Sequence, residues 1–533
     1  MNFRRAQIMK SKVEVRHRRR ILCVFPRYAP SFGTFQYAYP MMGGVRAFMP
    51  PQGILVIAAY LPPAWEVRIV DENIRPTSEE EIGWADVVFV SGMHVQRTEI
   101  KALARRARAA GKATVLGGPS VSASPEKYPE FDYLHLGELG DATDELIRAI
   151  DEDATPPAAQ QRFATGERLA LAEFPIPAYE LIDGRRYFIG SVQFSSGCPY
   201  RCEFCDIPAL YGRQPRLKTP QQILVELDAL LDAGIKTSIY FVDDNFIGNK
   251  KAARELLPHL VAWQKQRGYP VQLCCEATLN IAKSPEILAM MREAYFCTVF
   301  CGIESPELAA LDAMQKSHNR AVPLLDAVAA INSYGIEVVS GIILGLDTDT
   351  PQTADRLIEF IDRSQIPMLT INLLQALPKT PLWDRLQAAG RLDEDEDRES
   401  NVVFARPYDE VLRNWRRSIR HAYTPDAIYR RFAWNAQHTY INRIALPLSR
   451  ARLNLGNLRR AFGILTRLLV WVGLFGDYRR SFWQMAWPAL RAGRIEELIH
   501  IGIVAHHMIV FARACAEGRE NASFFIDRPK IAA

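Results

Sequence analysis

The sequence predicts an α/β protein with three folded regions: a doubly wound Rossmann-like domain, a partial (β/α)6 barrel and a C-terminal helical domain. At 533 residues the chain is too long for one domain. Short apolar runs alternate with helical patterns over residues 20–151 and again over 188–390, which is typical of parallel βα units. Residues 391–533 show helical patterns only. We expect a basic arm over 1–19 and an exposed linker over 152–187.

The first α/β region contains apolar runs that predict the strands Ile21–Phe25, Val67–Asp71, Val87–Ser91, Ala113–Gly117 and Tyr133–Leu136. Helical patterns lie near Gly53–Tyr60, Arg97–Ala110 and Ala142–Ile150. In a doubly wound sheet, ligands bind outside the carboxyl ends of the strands. The loops expected there carry Gly92, Gly117, Gly118, Gly137 and Glu138. Glycines at such positions let a large planar or phosphorylated ligand approach the backbone.

The second α/β region predicts the strands Val192–Ser195, Ser238–Val242, Val271–Cys275, Thr298–Gly302, Val338–Leu344 and Leu369–Leu374. Six units match a partial barrel, and the chemistry of such barrels lies where strands end. Acids and glycines follow these strands, namely Asp243 with Asp244, Glu276, Glu304 and Gly345. A salt-bridged rim residue is the alternative for each acid, and for Asp243 both interpretations stay open.

Three cysteines, Cys198, Cys202 and Cys205, lie in the run Cys-Pro-Tyr-Arg-Cys-Glu-Phe-Cys. Three thiolates on one short loop can hold three irons of a 4Fe–4S cluster and leave the fourth iron open to another ligand. Zinc is the alternative, but it requires a fourth Cys or His at ligand spacing. The thirty residues after the triplet contain neither. The spacing therefore favours the cluster.

The cysteine count also bears on the cell compartment. Nine cysteines, an odd number without regular spacing beyond the triplet, argue against a disulfide framework and for a reducing compartment. The sequence has no signal-peptide core and no run of about eighteen uncharged apolar residues. We expect a cytoplasmic protein.

Positive charge is concentrated in the last third of the chain. From Asn401 onwards there are 21 Lys plus Arg against 9 Asp plus Glu, a balance of +12 in a chain of net +5. The helical patterns Val411–Tyr423, Leu453–Val472 and Ile495–Arg513 combine Arg with aromatic residues. Such faces fit peripheral contact with an anionic membrane surface or a bulky apolar substrate, and a plain bundle capping the barrel is the alternative. Lys is scarce and no nucleic-acid-binding fold is evident, so we expect no nucleic acid.

Several short motifs resemble a known enzyme family. The cysteine spacing, with Phe204 before the last Cys, resembles the radical S-adenosylmethionine (SAM) superfamily. Gly-Gly-Pro at 117–119, followed by Gly-Glu at 137–138, resembles the cobalamin-binding domain fused to many such enzymes. The domain order resembles the cobalamin-dependent radical SAM methylases, and residues 25–35 and 46–53 look like the hopanoid C-2 methylase group.

This resemblance implies three cofactors: a 4Fe–4S cluster, SAM and cobalamin. It implies that Phe204 backs the adenine of SAM, while Asp243, Glu276, Glu304 and Gly345 serve the rest of that molecule. It also implies that Gly92, Gly117, Gly118, Gly137 and Glu138 lie against cobalamin. The loop after the first strand lacks histidine, so we expect cobalamin to bind base-off without a histidine ligand. His94 is the one histidine near that site by chain position.

The implied reaction is methylation of a lipid, a hopanoid, at C-2 of ring A. In the resembled family a 5′-deoxyadenosyl radical removes hydrogen from the substrate, and methylcobalamin supplies the methyl group. Electrons would come from an external donor of the flavodoxin or ferredoxin type. Two alternatives stay open at this point: a cobalamin radical enzyme that oxidises, cyclises or rearranges its substrate, and a non-catalytic electron carrier or sensor.

We predict that Cys198→Ala, Cys202→Ala and Cys205→Ala each abolish both the cluster and SAM cleavage. Each thiolate holds a different iron, and no nearby side chain can replace it. Iron analysis and 5′-deoxyadenosine formation in reconstituted protein provide the measurement. Normal values of both in any one variant would disprove the assignment.

Overall fold

A computed structural model describes residues 11, 13–393, 398–447 and 454–520. The first sheet comprises β1 (Arg20–Phe25), β2 (Glu66–Asp71), β3 (Val87–Ser91), β4 (Ala113–Gly117), β5 (Tyr133–Leu136) and β6 (Gln161–Ala164). The strand order is β2-β1-β3-β4-β5-β6, and all pairings are parallel. This is a doubly wound order whose switch point lies between β1 and β3, so the predicted Rossmann-like domain is confirmed.

Helices cover both faces of this sheet: α1 (Gln52–Tyr60), α2 (Glu79–Trp84), α3 (Arg97–Ala109), α4 (Pro119–Ala123) and α5 (Asp141–Glu152). Along β3, Val87 and Phe89 belong to one apolar cluster, while Val88 and Val90 belong to another. A strand buried on both faces has to be apolar throughout. This requirement explains why the strands are continuous apolar runs in the sequence.

The strand β6 lies inside the segment that the sequence predicts to be an exposed linker. Its residues pair with β5, and three of the four are exposed. The prediction of a plain connection over 152–187 is therefore wrong for residues 161–164. Of the predicted basic arm, residues 1–10 and 12 lie outside the described residues. The backbone amides of Arg16 and His17 donate to the Asp151 carboxylate at 2.8 and 2.9 Å.

The second sheet has six parallel strands in the order β14-β13-β12-β11-β10-β7. These are β7 (Gly190–Val192), β10 (Ser238–Phe241), β11 (Gln272–Glu276), β12 (Phe296–Glu304), β13 (Glu337–Leu344) and β14 (Met368–Leu373). A separate antiparallel pair, β8 (Ser195–Ser196) and β9 (Arg216–Leu217), flanks the cysteine loop. The strands β7 and β14 do not pair with each other, so the predicted partial (β/α)6 barrel is confirmed.

The barrel helices are α6 (Ile207–Leu210), α7 (Pro220–Asp232), α8 (Lys250–Arg267), α9 (Pro285–Glu293), α10 (Leu308–Ala313), α11 (Leu324–Asn332), α12 (Thr353–Ser364) and α13 (Pro381–Ala388). Local sequence sets several of their ends. Thr219 and Gln222 form a capping box at the start of α7, with proline in its first turn. Asn249 caps α8, which ends at Gly268 in the left-handed conformation.

The C-terminal region is helical, as the sequence predicts, over its described part. Its helices are α14 (Tyr408–Ala422), α15 (Pro425–His438), α16 (Leu455–Leu468), a π-helical turn (Leu469–Leu474), α17 (Arg479–Arg491) and α18 (Ile495–Ala516). Among the described residues, α18 alone is long and apolar enough to cross a membrane, but 72% of its most apolar window is buried. It packs against α14, α15, α16 and α17. Its burial identifies it as the central helix of this region.

We predict that Lys218→Met strongly destabilises the barrel. Lys218 follows β9, and its ammonium lies 2.6 Å from the Glu226 carboxylate with both side chains 1% exposed. Removing one partner of a buried ion pair leaves an uncompensated charge and costs about 3–5 kcal/mol. Thermal and urea unfolding measure this loss. The double variant K218M/E226L is the control and should recover most of the stability; a stable single variant would contradict the prediction.

Candidate active site at two facing sheet edges

The cysteine triplet lies in the loop between β8 and α6, residues 197–206, here called the cluster loop. Its entry is tightly packed. Gly197 has φ of +99°, and a Cβ atom there would lie 2.8 Å from the Gly212 carbonyl oxygen. The Cys198 amide donates to the same oxygen at 3.2 Å. Only glycine fits at position 197, because of its positive φ and the close packing around it. The backbone conformation at the start of the cluster loop is therefore fixed.

The three thiols form a donor set that fits a 4Fe–4S cluster. Burial raises the pKa of Cys198, Cys202 and Cys205, so each free thiol stays protonated until a metal replaces the proton. Within the described residues, no three His, Cys, Asp or Glu side chains surround a single ion position. A 4Fe–4S cluster does not require such convergence, because each thiolate binds a different iron.

Asp243 and Asp244, at the end of β10, hold the entry to this loop. The backbone amides of Phe194 and Ser195 donate to the Asp243 carboxylate, and the Gly197 amide donates to Asp244 at 2.7 Å. Asp243 is fully buried, and burial raises its pKa to about 7. Both Asp243 oxygens are used by the backbone. Asp243 therefore anchors the chain before the cluster loop, and its predicted contact with SAM stays a prediction.

Glu276, at the end of β11, is the acid that best retains capacity for a ligand. Tyr240 donates to one of its oxygens at 3.2 Å. Burial, together with the negative charges of Asp244, Asp243 and Glu304, raises its pKa to about 7. Carboxylates that raise one another's pKa form a site that favours a cation. The sulfonium and α-ammonium groups of SAM carry such charge, so these acids fit SAM.

Glu304, at the end of β12, is paired with a lysine that sequence reasoning missed. The Lys316 ammonium lies 2.6 Å from the Glu304 carboxylate, and both groups are buried. Burial opposes the charge on Lys316, but the Glu304 carboxylate outweighs it and raises the pKa of Lys316. A Cβ atom at Gly302 would lie 2.8 Å from this ammonium. The same ammonium lies 5.5 Å from the centre of the Phe204 ring.

Glu304 itself has φ of +66°, an unfavourable conformation for a residue with a side chain. The pairing register between β12 and β13 shifts at this point. Strained backbone of this kind concentrates at ligand sites, where surrounding structure maintains it. The position of Glu304 thus supports a functional role, although Lys316 already neutralises part of its charge.

A second residue missed from sequence is His318, on the short 3-10 helix Ser317–Arg320. Its ring stacks on Tyr200 of the cluster loop with centroids 3.8 Å apart. His318 is 8% exposed, and neither ring nitrogen has a hydrogen-bond partner among the described residues. Burial lowers its pKa to about 4, so the ring is neutral. No local motif distinguishes this histidine in the sequence; only the fold brings it to the cluster loop.

Gly345 follows β13, as predicted, but its surroundings are occupied. It has φ of +90°, and a Cβ atom there would lie 2.5 Å from the Phe404 ring. Its amide donates to Asp349 at 2.7 Å. The structure thus explains this glycine by packing, and it gives no separate support for contact with SAM.

The carboxyl edge of the first sheet forms a cradle of small residues. Gly118 has φ of +98°, and a Cβ atom there would lie 2.9 Å from Ser91 Oγ. A Cβ atom at Gly92 would lie 2.8 Å from Ile100, and Gly137 has φ of +106°. At Gly117 a Cβ atom would make an ordinary van der Waals contact, 3.9 Å from His135 Cβ. Neighbouring protein atoms thus account for the glycines at 92 and 118; the place of this edge, at the carboxyl ends of parallel strands, is what fits a large planar group like cobalamin.

Glu138, also predicted at cobalamin, joins the two domains in this structure. Ser196 of β8 donates to one carboxylate oxygen at 3.0 Å. Arg216 of β9 donates to the other, and Arg168 lies 3.3 Å from it. Both oxygens thus have partners at the domain junction, and the predicted contact of Glu138 with cobalamin stays a prediction. Glu138 connects the carboxyl edge of the first sheet to the strands that flank the cluster loop.

A second contact crosses the same junction. Lys379, beyond β14, donates to the Ser122 carbonyl oxygen in α4 of the first domain. Together with Glu138, it brings the carboxyl edges of the two sheets face to face. The cradle and the cluster loop therefore open toward the same region.

His94 lies directly after β3 and is 9% exposed. Its Nδ1 lies 3.3 Å from Ser120 Oγ, which in turn contacts the Tyr128 hydroxyl. Burial lowers the pKa of His94 to about 4. A neutral imidazole is the form that ligates metals. The expected binding of cobalamin in its base-off form, with no histidine ligand to the cobalt, stays a prediction.

Comparison with known families agrees with this geometry. Residues 40–147 match the family described as B12 binding domain, and residues 192–361 match the radical SAM superfamily. Residues 380–521 match a domain of unknown function. The facing edges, the cysteine loop and these matches define a radical SAM enzyme with cobalamin, SAM and a 4Fe–4S cluster as cofactors.

One relative and two solved structures define the family and the fold of this chain more closely. It is 58% identical over 516 residues to the hopanoid C-2 methylase of Rhodopseudomonas palustris (strain TIE-1), covering 97% of this chain and 98% of that protein. The cobalamin-dependent SAM radical enzyme OxsB, with aqua-cobalamin bound, has a TM-score of 0.59 at 16% identity, covering 96% and 82% of the two chains. The methyltransferase TsrM from Kitasatospora setae, with cobalamin and a [4Fe-4S] cluster bound, has a TM-score of 0.58 at 16% identity, covering 90% and 100%.

The two structures show the fold, and the relative shows the family. The chain belongs to the hopanoid C-2 methylase family of cobalamin-dependent radical SAM methyltransferases.

We predict different defects for Glu276→Gln and Asp243→Asn. Losing the Glu276 charge should raise the Kd for SAM by on the order of tenfold, about 1.4 kcal/mol, with normal iron content. Asparagine at 243 offers one acceptor oxygen for two buried amides, which costs about 1–3 kcal/mol. It should speed cluster loss. Iron retention and equilibrium SAM binding separate the two effects.

Each variant serves as the control for the other, since both remove one negative charge from neighbouring strand ends. Normal cluster retention in Asp243→Asn with weakened SAM binding, together with normal SAM binding in Glu276→Gln, would reverse our assignment.

Proposed function

We propose that this protein methylates a hopanoid at C-2 of ring A. The observation that carries the proposal is the 58% identity to the hopanoid C-2 methylase of R. palustris, which extends over 97% of this chain. The match includes both sheets, the cluster loop and the helical region. If the identity covered only the two cofactor-binding domains, it would support the class of enzyme but not the substrate. Coverage of the C-terminal helices as well supports a shared substrate.

The proposed roles of the residues follow from their geometry. Cys198, Cys202 and Cys205 would hold the cluster, and Glu276 and Glu304 would face the cationic part of SAM. When bound, the cluster with SAM supplies a carbon-centred radical and cobalamin supplies a methyl group. Phe204 would back the adenine from its place beside the last cysteine. The cradle around Gly117 would take the corrin.

The residues of the protein itself position the reacting groups and exclude water from them. Asp243 and Asp244 fix the approach to the cluster loop, and Glu138 fixes the distance between that loop and the cradle. A hydrogen removed from an unactivated carbon leaves a reactive radical, so the reacting groups have to be held close and dry. The partly buried hydrogen bonds of the junction contribute to that requirement by holding the two domains together.

Two further partners belong to this proposal. An external flavodoxin- or ferredoxin-type protein would deliver electrons to the cluster. We also place the enzyme at the cytoplasmic face of the membrane, in peripheral contact, because hopanoids reside in the bilayer and the C-terminal third carries a charge balance of +12.

Reconstituted protein incubated with SAM, a reductant, cobalamin and a detergent-dispersed hopanoid tests the proposal. We expect a product heavier by one methylene, with the methyl group at C-2, and no product from the Cys202→Ala variant. Fragmentation by mass spectrometry locates the new carbon. A product of changed oxidation level and unchanged carbon count would identify an oxidising, cyclising or rearranging enzyme instead.

A genetic test complements this assay. Deletion of the gene, in a host that makes 2-methylhopanoids and has no second copy, should remove them from extracted lipids, and the wild-type gene should restore them. An unchanged pool of 2-methylhopanoids would contradict the substrate but not the methyltransferase class.

A further inference from the structure

The outer side of α16 and the following π-helical turn is apolar and exposed to solvent. We call this surface the outer face. It consists of Leu455, Leu458, Phe462, Val470, Trp471, Leu474 and Phe475, which are between 38% and 83% exposed. The opposite side of the same segment is also apolar, and it is buried: Leu468 contacts the backbone of α18 at Gly502. The segment is thus apolar on two sides, and the fold covers one.

Scattered apolar side chains are ordinary on protein surfaces, but a contiguous exposed set marks an interaction site. On α16 the exposed residues recur at positions 455, 458 and 462, the spacing of one helical face. Exposing so many large side chains to water is unfavourable unless something covers them. We therefore expect a binding partner to cover the outer face.

The charge around the outer face identifies the chemistry of that partner. Residues 454–494 contain seven arginines, no lysine and one acid, Asp477. Asp477 is paired with Arg513 of α18 at 2.7 Å. The exposed arginines Arg459, Arg467, Arg479, Arg480 and Arg491 have no ion pair with any carboxylate in the described part of the chain. The two helices that follow one another in this stretch, α16 with its apolar surface and α17, therefore carry uncompensated positive charge.

Two exposed tryptophans also indicate the chemistry of the partner that covers the outer face. Trp471 and Trp487 are 54% and 52% exposed, and the Arg491 guanidinium lies 4.8 Å from the centre of the Trp487 ring. Tryptophan and arginine together are typical of residues at the boundary between headgroups and acyl chains. A second copy of this chain would bring the same arginines together, and their repulsion disfavours self-association.

We propose that the outer face inserts into the surface of an anionic phospholipid bilayer. The inference rests on the proposed function, because a bilayer is where a hopanoid substrate resides. The membrane contact is thereby assigned to a defined apolar surface, whereas the proposed function invoked only a general electrostatic contact of basic helices. Phe462, Trp471 and Phe475 enter the headgroup region, and the surrounding arginines contact lipid phosphates.

The outer face also adjoins the active-site side of the molecule. The α16 helix contacts the segment Gln36–Met41, in the loop between β1 and α1 at the carboxyl end of β1. At Gly43, a Cβ atom would lie 3.1 Å from the Arg467 guanidinium. The carboxyl edge of the first sheet is the edge that faces the barrel. Insertion of the outer face therefore brings that loop to the membrane surface, where a lipid can leave the bilayer and enter the enzyme.

Flotation of the full-length protein with vesicles tests the proposal. We expect binding to vesicles of equal parts phosphatidylglycerol and phosphatidylcholine and weaker binding to phosphatidylcholine alone. The variant F462S/W471S/F475S should lose binding by at least about tenfold, because the inserted apolar area is gone. The variant R479Q/R480Q should lose the preference for phosphatidylglycerol. The matched control L181S/I441S, exposed apolar residues outside the outer face, should bind like the wild type.

A measurement on the unmodified chain makes the test independent of the variants' folding. Lipids brominated near the headgroup should quench part of the tryptophan fluorescence of bound wild-type protein. Absence of vesicle binding, or equal binding by the triple variant and the wild type, would overturn the proposal. A dimer in sedimentation that the triple variant abolishes would assign the outer face to a second copy and would also overturn it.

Activity with detergent-dispersed hopanoid separates this inference from the proposed function. The triple variant should retain that activity while its activity on hopanoid in vesicles falls. Normal vesicle binding without any methylated hopanoid would disprove the function and leave the membrane surface standing. Full activity on vesicles by the triple variant would disprove the membrane surface and leave the function standing.

Discussion

The fold depends on how the chain entering the cluster loop is held. The loop has almost no secondary structure of its own, yet its cysteines have to be positioned for three irons of one cluster. Two adjacent carboxylates, Asp243 and Asp244, accept backbone hydrogen bonds from the preceding residues Phe194, Ser195 and Gly197. A buried amide left without a partner costs about 1–3 kcal/mol. Any other course of the chain would therefore be less stable.

The same loop is tied to the other domain. Glu138 follows β5 of the first sheet and accepts hydrogen bonds from Ser196 and Arg216, on the two strands flanking the cluster loop. The distance between the two cofactor edges is thus set by a carboxylate with a low exposed fraction, 12% of its side chain. Chemistry that passes a radical and then a methyl group to one carbon requires both edges close to the same point. The junction provides that proximity.

The sequence predicts the central strands well because strands such as β1 and β3 are buried on both faces and have to be apolar. It also predicts where the functional side chains lie, because parallel strands bring their carboxyl ends to one edge. It does not predict what each side chain does there. Nothing near Asp243 indicates that its partners are backbone amides some fifty residues earlier. A carboxylate that binds SAM and one that binds amides are identical as sequence patterns.

Other features were missed for related reasons. The edge strand β6 is polar and exposed, so it lacks the apolar signal of the central strands. Lys316 and His318 lie outside the regular strands, and only the tertiary fold brings them to Glu304 and Tyr200. The exposed side of α16 cannot be distinguished from its buried side in the sequence, because both are apolar. Its exposure is a property of the packing on α18.

A crystal structure of the anaerobically reconstituted enzyme with cobalamin and SAM would test the central claim most directly. We predict that Asp243 and Asp244 keep their backbone amides while Glu276 contacts the cationic part of SAM. We also predict that Glu138 remains bound to Ser196 and Arg216 with cobalamin in place. A structure in which Asp243 releases those amides and binds SAM, or in which Glu138 turns to the corrin, would contradict this claim.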